Sequence, residues 1–323
     1  MYTEYFGPVN REDLGCSSAH LESAARKLQQ GGLVAFPSET VYGLGATILN
    51  EGALKRLYHV KERPLDRSLS VHVANFSQLQ FIAADIPLEA HALAKEFLPG
   101  PLTLILKKSP NLSSLITGGK ETIAVRISSD PIARRLIELT GCPLAAPSAN
   151  QSGKPSPTRA SHVLEDFNGK IEGLVDGGQT RFGMESTLIS LEDPARPTLY
   201  RFGVIPHKEI ERVLNRKVAV HPLALVLNGN SNLTKMRSAV RLFSSWEEMK
   251  IYLKLSSKSK RLIMSDEPSL VSDGVHFQLK STNLYEGLRI AERDGYAEVL
   301  VLCTPKLKQN ILLLNRLKQI ART

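Results

Sequence analysis

The sequence is poor in the residues that hold small secreted or metal-bound domains together. Its 323 residues contain three cysteines, Cys16, Cys142 and Cys303, far apart and without a CxxC pair. That spacing excludes a disulfide framework and a paired-cysteine zinc site, and predicts reduced thiols. Long apolar runs are also missing: none approaches the roughly 18 residues needed to cross a bilayer, and no basic-then-apolar leader opens the chain. The expectation is a cytoplasmic protein with no membrane partner.

Familiar catalytic signatures are equally scarce. There is no Walker A loop, and Gly43-Leu44-Gly45 lacks the third glycine of a dinucleotide fingerprint, so any nucleotide is held in another way. HExxH and GxSxG are absent, which argues against a zinc hydrolase and an α/β-hydrolase triad.

What the chain does have is enough apolar residue, 42% against 23% charged, for two domains with cores of their own. Its net charge of +9 is unevenly spread, since residues 216–323 hold 18 Lys and Arg against 9 Asp and Glu while residues 1–215 are balanced. A basic last third suits phosphate backbones, but small soluble domains are often basic, so the charge alone does not decide for RNA contact.

Periodicity predicts a helix from Ser17 or Ser18 to Gly31, with Leu21, Ala24, Ala25 and Leu28 on one face, followed by a strand at Leu33–Phe36. Strand-like runs at 69–73, 102–106, 122–127 and 187–191 alternate with helical stretches at 51–60, 88–97 and 131–140, the pattern of an α/β domain. Residues 1–214 form this domain, 215–223 a linker and 224–323 a second one. The second begins with a strand at 225–227 and continues with strands at 261–264, 275–279 and 297–302. Helices at 245–255, 283–294 and 306–321 complete the order of a small doubly wound, Rossmann-like sheet.

Five clusters carry possible chemistry. Pro37 to Gly45 sets Ser38, Glu39, Thr40 and Tyr42 beside glycines, either as a polar pocket wall or as a capped turn. Lys61, Arg63, Arg67 and His72 place cations between a helix end and a strand, where polyphosphate could be met or the helix terminus complemented. Arg126 projects from the β-branched run Thr122–Val125 and needs an anion, either an internal acid or a substrate carboxylate. Ala145–Gly153 with Ser156-Pro157-Thr158, and Asp176-Gly177-Gly178 with Glu185-Ser186-Thr187, are dense in small hydroxyls.

In this order the segments PSETVYGLG, KERP with a downstream strand histidine, LPGPLTLIL, TIAVRI, APSANQSGKPSPT, DGGQT and ESTLI resemble the YrdC-like family of threonylcarbamoyl-AMP synthases. The resemblance spans about residues 15–206. The remainder, with Leu284 to Arg289 and Asn315-Arg316-Leu317, looks like the extra domain of the longer, two-domain synthases.

The resemblance implies a YrdC-like twisted mixed sheet with a concave polar cavity. It implies that L-threonine, bicarbonate and ATP condense to L-threonylcarbamoyladenylate and pyrophosphate, feeding threonylcarbamoyladenosine at position 37 of tRNA through a separate transferase complex. Thr40, His72, Arg126, Ala146 and Ser186 would surround threonine. Arg63, Arg67, Thr122, Ser148, Asn150, Ser156 and Arg201 would line the nucleotide side, with Lys61 and Arg63 as catalytic cations. Tyr42 and Ser152 would lie nearby, and Mg2+ would accompany ATP.

Three departures touch the nucleotide side. Arg67-Ser68 stand where the family carries Asn-Pro, Phe202 stands where it carries proline, and the linker motif of the longer synthases is not found between 215 and 245. A YrdC-fold enzyme with another substrate, and an RNA-binding module, are the alternatives.

Overall fold

The computed structural model describes residues 2–225, 233, 235–256, 259–267 and 275–321. The chain divides into two compact units, Met1–Ser152 with Ser156–Leu225, and Gly153–Pro155 with Val226–Thr323. The expected strand at 225–227 is not formed where it can be seen: Leu225 closes a one-turn helix, Pro222–Leu225, and 226–227 lie outside the described residues.

The strands of the first unit are β1 (Glu4–Phe6), β2 (Val34–Phe36), β3 (Gly43–Thr47), β4 (Ser70–His72), β5 (Leu102–Lys107) and β6 (Thr122–Arg126). They continue with β7 (Leu144–Ala145), β8 (Gly173–Val175), β9 (Thr187–Ser190), β10 (Thr198–Arg201) and β11 (Ala219–Val220). Its helices are α1 (Ser18–Gln29), α2 (Glu51–Lys61), α3 (Phe76–Ile82), α4 (Leu88–Phe97), α5 (Ser114–Thr117), α6 (Pro131–Thr140), α7 (Ala160–Phe167), α8 (His207–Leu214) and α9 (Pro222–Leu225).

The strands form one mixed sheet in the order β1-β8-β2-β3-β7-β4-β6-β5-β9-β10-β11. α1 forms because Leu21, Ala24, Ala25 and Leu28 recur at helical spacing, and all four are buried. Each leucine so buried contributes about 1.5–3 kcal/mol. α6 carries its own punctuation: the Asp130 carboxylate accepts from Ile132 N at 2.9 Å, Pro131 opens the first turn, and Gly141 ends it at φ 71°.

β3 escapes the strand pattern because it starts Gly43-Leu44-Gly45. A Cβ at Gly45 would lie 2.9 Å from the Phe36 ring, so glycine lets β3 press against β2.

The second unit holds β12 (Ala239–Phe243), β13 (Arg261–Ser265), β14 (Val275–Gln278) and β15 (Glu298–Leu302), with α10 (Trp246–Leu255), α11 (Leu284–Arg293), α12 (Pro305–Gln309) and α13 (Ile311–Ile320). Its four strands are parallel, in the order β12-β15-β13-β14. Met249 on α10 packs with Ile263, Leu300 and Leu302 on one face, while Gly287 on α11 lies against Met264 and Phe277 on the other. Helices on both faces make this a small doubly wound sheet. The expected helix at 306–321 is two, because the Asn310 side chain accepts from Leu313 N and starts a new one.

Candidate functional site

Sheet geometry decides which groups meet. β4 and β6 run parallel with His72 opposite Arg126, whereas β5 runs antiparallel to β6 and begins where β6 ends. β9 is parallel to β5, with Leu102 opposite Thr187. The ends of β4 and β6 and the starts of β5 and β9 therefore share one edge, which carries His72, Arg126, Thr103 and Ser186.

Arg126 has an internal acid. Its Nη2 stands 2.6 Å from Glu39 Oε1, with side-chain exposures of 6% and 3%. Its Nη1 donates to Thr40 Oγ1 at 2.8 Å, and Ser128 Oγ donates to the other Glu39 oxygen. Burial alone would raise the Glu39 pKa, but Arg126 and Ser128 outweigh it and hold the carboxyl below the ordinary glutamate value. Arg126 Nε is buried without an acceptor, and neither Nη2 nor Glu39 Oε1 has an aligned hydrogen bond, so the pair is ionic and leaves donors unused.

His72 is buried, packs edge-on against Phe36 at 5.9 Å, and has an unpartnered Nδ1. Burial and then Arg126 push its pKa down to about 3, so it is a neutral imidazole and not one of the expected cations. Ser186 Oγ is 2.7 Å from Thr103 Oγ1 and accepts from Arg201 Nη2 at 3.0 Å, while Arg201 Nε donates to the Ser186 carbonyl at 2.9 Å. Ala146 N donates to Ser70 O at 2.8 Å, two residues before His72 on the same strand. Thr40, His72, Arg126, Ala146 and Ser186 thus lie on elements that adjoin, with Thr40 and Arg126 in direct contact.

The nucleotide-side residues form separate groups. Lys61 Nζ, at the end of α2, donates to the carbonyls of Ser148 and Asn150, and Ser152 N donates to Lys61 O at 2.9 Å. Lys61 is buried, and burial followed by the nearby Arg63 charge lowers its pKa to about 7. Arg63 folds back on its own turn: Nη2 donates to Ser68 O at 2.7 Å and Nε to Arg67 O at 3.2 Å. The Arg67 side chain is exposed.

Ser156 Oγ donates to Glu185 Oε1 at 2.9 Å, which brings Ser156 beside Ser186 and Arg201. Thr122 opens β6, four residues from Arg126 and so roughly 13 Å along the strand. Tyr42 is fully buried; its hydroxyl donates to Gly178 O at 2.7 Å and accepts from Gly177 N at 3.2 Å, so it anchors the 176–178 loop.

Sequence reasoning named Glu39 and Glu185 only as parts of polar motifs, and missed Ser128 and Thr103. The position of Glu39 inside PSET was the available signal; nothing local pairs it with a strand residue 87 positions later. At the departures, Phe202 packs against the core and meets His207 edge-on at 6.2 Å, and Ser68 supplies the carbonyl that holds Arg63. Gly203 is required by close approach, since a Cβ there would lie 2.2 Å from Thr187 N.

Among the described residues no three His, Cys, Asp or Glu side chains gather as a metal cage, and no helix is long and apolar enough to cross a membrane. All three cysteines are free thiols.

A large twisted mixed sheet with buried guanidinium, imidazole and hydroxyl groups on one edge, joined to a small parallel sheet, defines a two-unit α/β protein with a polar site and no P-loop. Residues 26–203 match the Sua5/YciO/YrdC family, described as "Telomere recombination", and the chain belongs to that family. It is 55% identical over 199 residues to a threonylcarbamoyl-AMP synthase of Pyrococcus abyssi, covering 62% of this chain and 58% of that one. It is 48% identical over 204 residues to a threonylcarbamoyl-AMP synthase of Bacillus subtilis, covering 63% and 59%. The matched segments thus span a little under three fifths of these relatives. The crystal structure of P. abyssi Sua5 complexed with L-threonine has a TM-score of 0.86 and 37% identity, covering 100% of both chains.

Proposed function

We propose that this chain is a threonylcarbamoyl-AMP synthase. The observation that carries the reading is the convergence of Thr40, His72, Arg126 and Ser186 on one sheet edge, in a chain of the same fold as a Sua5 complexed with L-threonine. Arg126 takes the threonine carboxylate through donors that Glu39 and Thr40 leave unused, and neutral His72 and Ser186 take up its polar groups. The threonine amine takes up bicarbonate as a carbamate with loss of water. A carbamate oxygen then attacks the α-phosphorus of ATP, the bond to the β-phosphate bridging oxygen breaks, and pyrophosphate leaves.

No covalent enzyme intermediate is needed, so the chain's part is positioning and charge stabilisation. Lys61 and Arg63 are catalytic cations in this reading. Both are held by backbone carbonyls, which fixes them before ATP arrives; binding polyphosphate would restore the Lys61 proton that burial disfavours. Ser148, Asn150, Ser156, Arg201, Arg67 and Thr122 complete the nucleotide side. Magnesium fits as a counter-ion carried by ATP, since it needs only one or two protein oxygens besides phosphates and water, and Glu185 and the hydroxyl of Ser156 are such oxygens.

We place the protein in the cytoplasm, in keeping with its free thiols, upstream of a tRNA threonylcarbamoyl transferase complex. Pyrophosphate release tests the reaction: it requires ATP, threonine and bicarbonate together, and release that persists without threonine or without bicarbonate contradicts it.

A further inference from the structure

A cavity of about 440 Å³ opens on the first unit between α4 and α6, beyond the ends of β4 and β6. Its lining is apolar at Phe76, Leu98, Pro99 and Ile127 and polar at Asn75, His91, Lys95 and Arg134. None of the residues that the proposed reaction uses lines it. The volume lies in the range of small-molecule sites.

The charge on its lining is one-sided. No Asp or Glu lines the cavity, and neither Lys95 nor Arg134 has an ion-pair partner among the described residues. The acids nearest in sequence are engaged elsewhere: Glu96 with Arg212 at 2.7 Å, Glu89 with Arg216 at 2.6 Å, and Asp130 with Arg11 at 2.8 Å. Arg134 Nε is also buried without an acceptor, although such donors are nearly always satisfied. The Nε–Nη edge of a guanidinium is the fork that grips a carboxylate, and a modest turn of the Arg134 side chain offers it to the cavity. His91 and Lys95, one turn apart on α4, stand across from it.

We propose that this cavity is a second ligand site, for a small organic acid with an apolar body. Its carboxylate pairs with Arg134 and Lys95, and its body lies on Phe76, Leu98, Pro99 and Ile127. It adjoins the first site along the chain, since Ala74 follows His72 by two residues and Ile127 follows Arg126 by one.

The test is fluorine NMR titration of the full chain with 4-fluorobenzoate as the acid and 4-fluorobenzyl alcohol as its neutral counterpart. The acid binds at least about tenfold more tightly than the alcohol. Lys95→Gln and Arg134→Gln each remove most of that advantage while leaving alcohol binding and the melting temperature unchanged. Saturating L-threonine does not displace the acid. Equal affinity for acid and alcohol, indifference to both substitutions, or displacement by threonine would each overturn the proposal. The result is independent of whether the chain makes a threonylcarbamoyl adenylate, which the pyrophosphate assay decides separately.

Discussion

Glu39 and Arg126, 87 residues apart, form an ion pair of 2.6 Å with both side chains almost wholly shut off from water. Arg126 is thus held in place by Glu39 and Thr40 before any ligand arrives. Desolvating two charges is costly, and a hydrophobic pair of similar volume would often be as stable, so the pair is better explained by what it positions than by stability.

Removing only one partner exposes that cost. Glu39→Gln leaves Arg126 buried with no countercharge and should destabilise the first unit by about 3 kcal/mol in urea unfolding. The folded Glu39 pKa lies below the ordinary value, so its stabilisation is present above the usual glutamate range and is lost as pH falls through the folded pKa. The gap between wild type and variant therefore closes on acidification, and a gap independent of pH would contradict the assignment.

Lys61 shifts stability in the same direction with pH, over a higher range. With a folded pKa of about 7 against 10.5, the unfolded chain binds a proton between these values that the folded chain does not. Stability from this group therefore rises as pH increases from about 7 to about 10. Lys61→Met should lose that slope in denaturation curves measured beside wild type, and should lower kcat by about a hundredfold or more if the ammonium faces developing phosphoryl charge. In wild type, ATP binding near neutral pH should take up protons, seen as buffer-dependent calorimetric heats.

His72 stays neutral over the working range, because burial and Arg126 hold its pKa near 3. Imidazole resonances followed by NMR should show no titration of His72 between about pH 5 and 8. A midpoint near 6.5 would mean that the ring is open to water and that its role needs revision.

Gly203 is a steric requirement. Gly203→Ala places a methyl 2.2 Å from Thr187 N and pushes the 201–203 turn away from Ser186. Because Arg201 holds Ser186 through two hydrogen bonds, the threonine KM should rise, while the melting temperature of the second unit is unchanged.

Much of this was legible in the sequence, and the reasons are local. α1, α4 and α6 follow from apolar spacing, with the Asp130 cap and the Gly141 stop added at α6, and the runs at 102–106 and 122–127 from β-branched composition. β3 was hidden because its glycines signal a turn, whereas they serve close packing on Phe36. β12 went unnoticed because Arg241 interrupts an otherwise apolar Ala239–Phe243. The candidate site residues were readable as motifs, but their pairings were not. Arg126 with Glu39, and Lys61 with the 148 and 150 carbonyls, are set by strand order, which no single window of sequence contains. The same limit hides the Tyr42 hydroxyl's partners, since it fastens the 176–178 loop from far along the chain.

The fate of labelled bicarbonate tests the central claim most directly. With ATP and threonine present, isotope from bicarbonate should enter a nucleotide-containing product that also carries threonine, and Arg126→Lys should reduce that product chiefly through a higher threonine KM. If ATP is cleaved while no label joins the nucleotide, the chain activates its substrate without forming a carbamate, and the account is wrong.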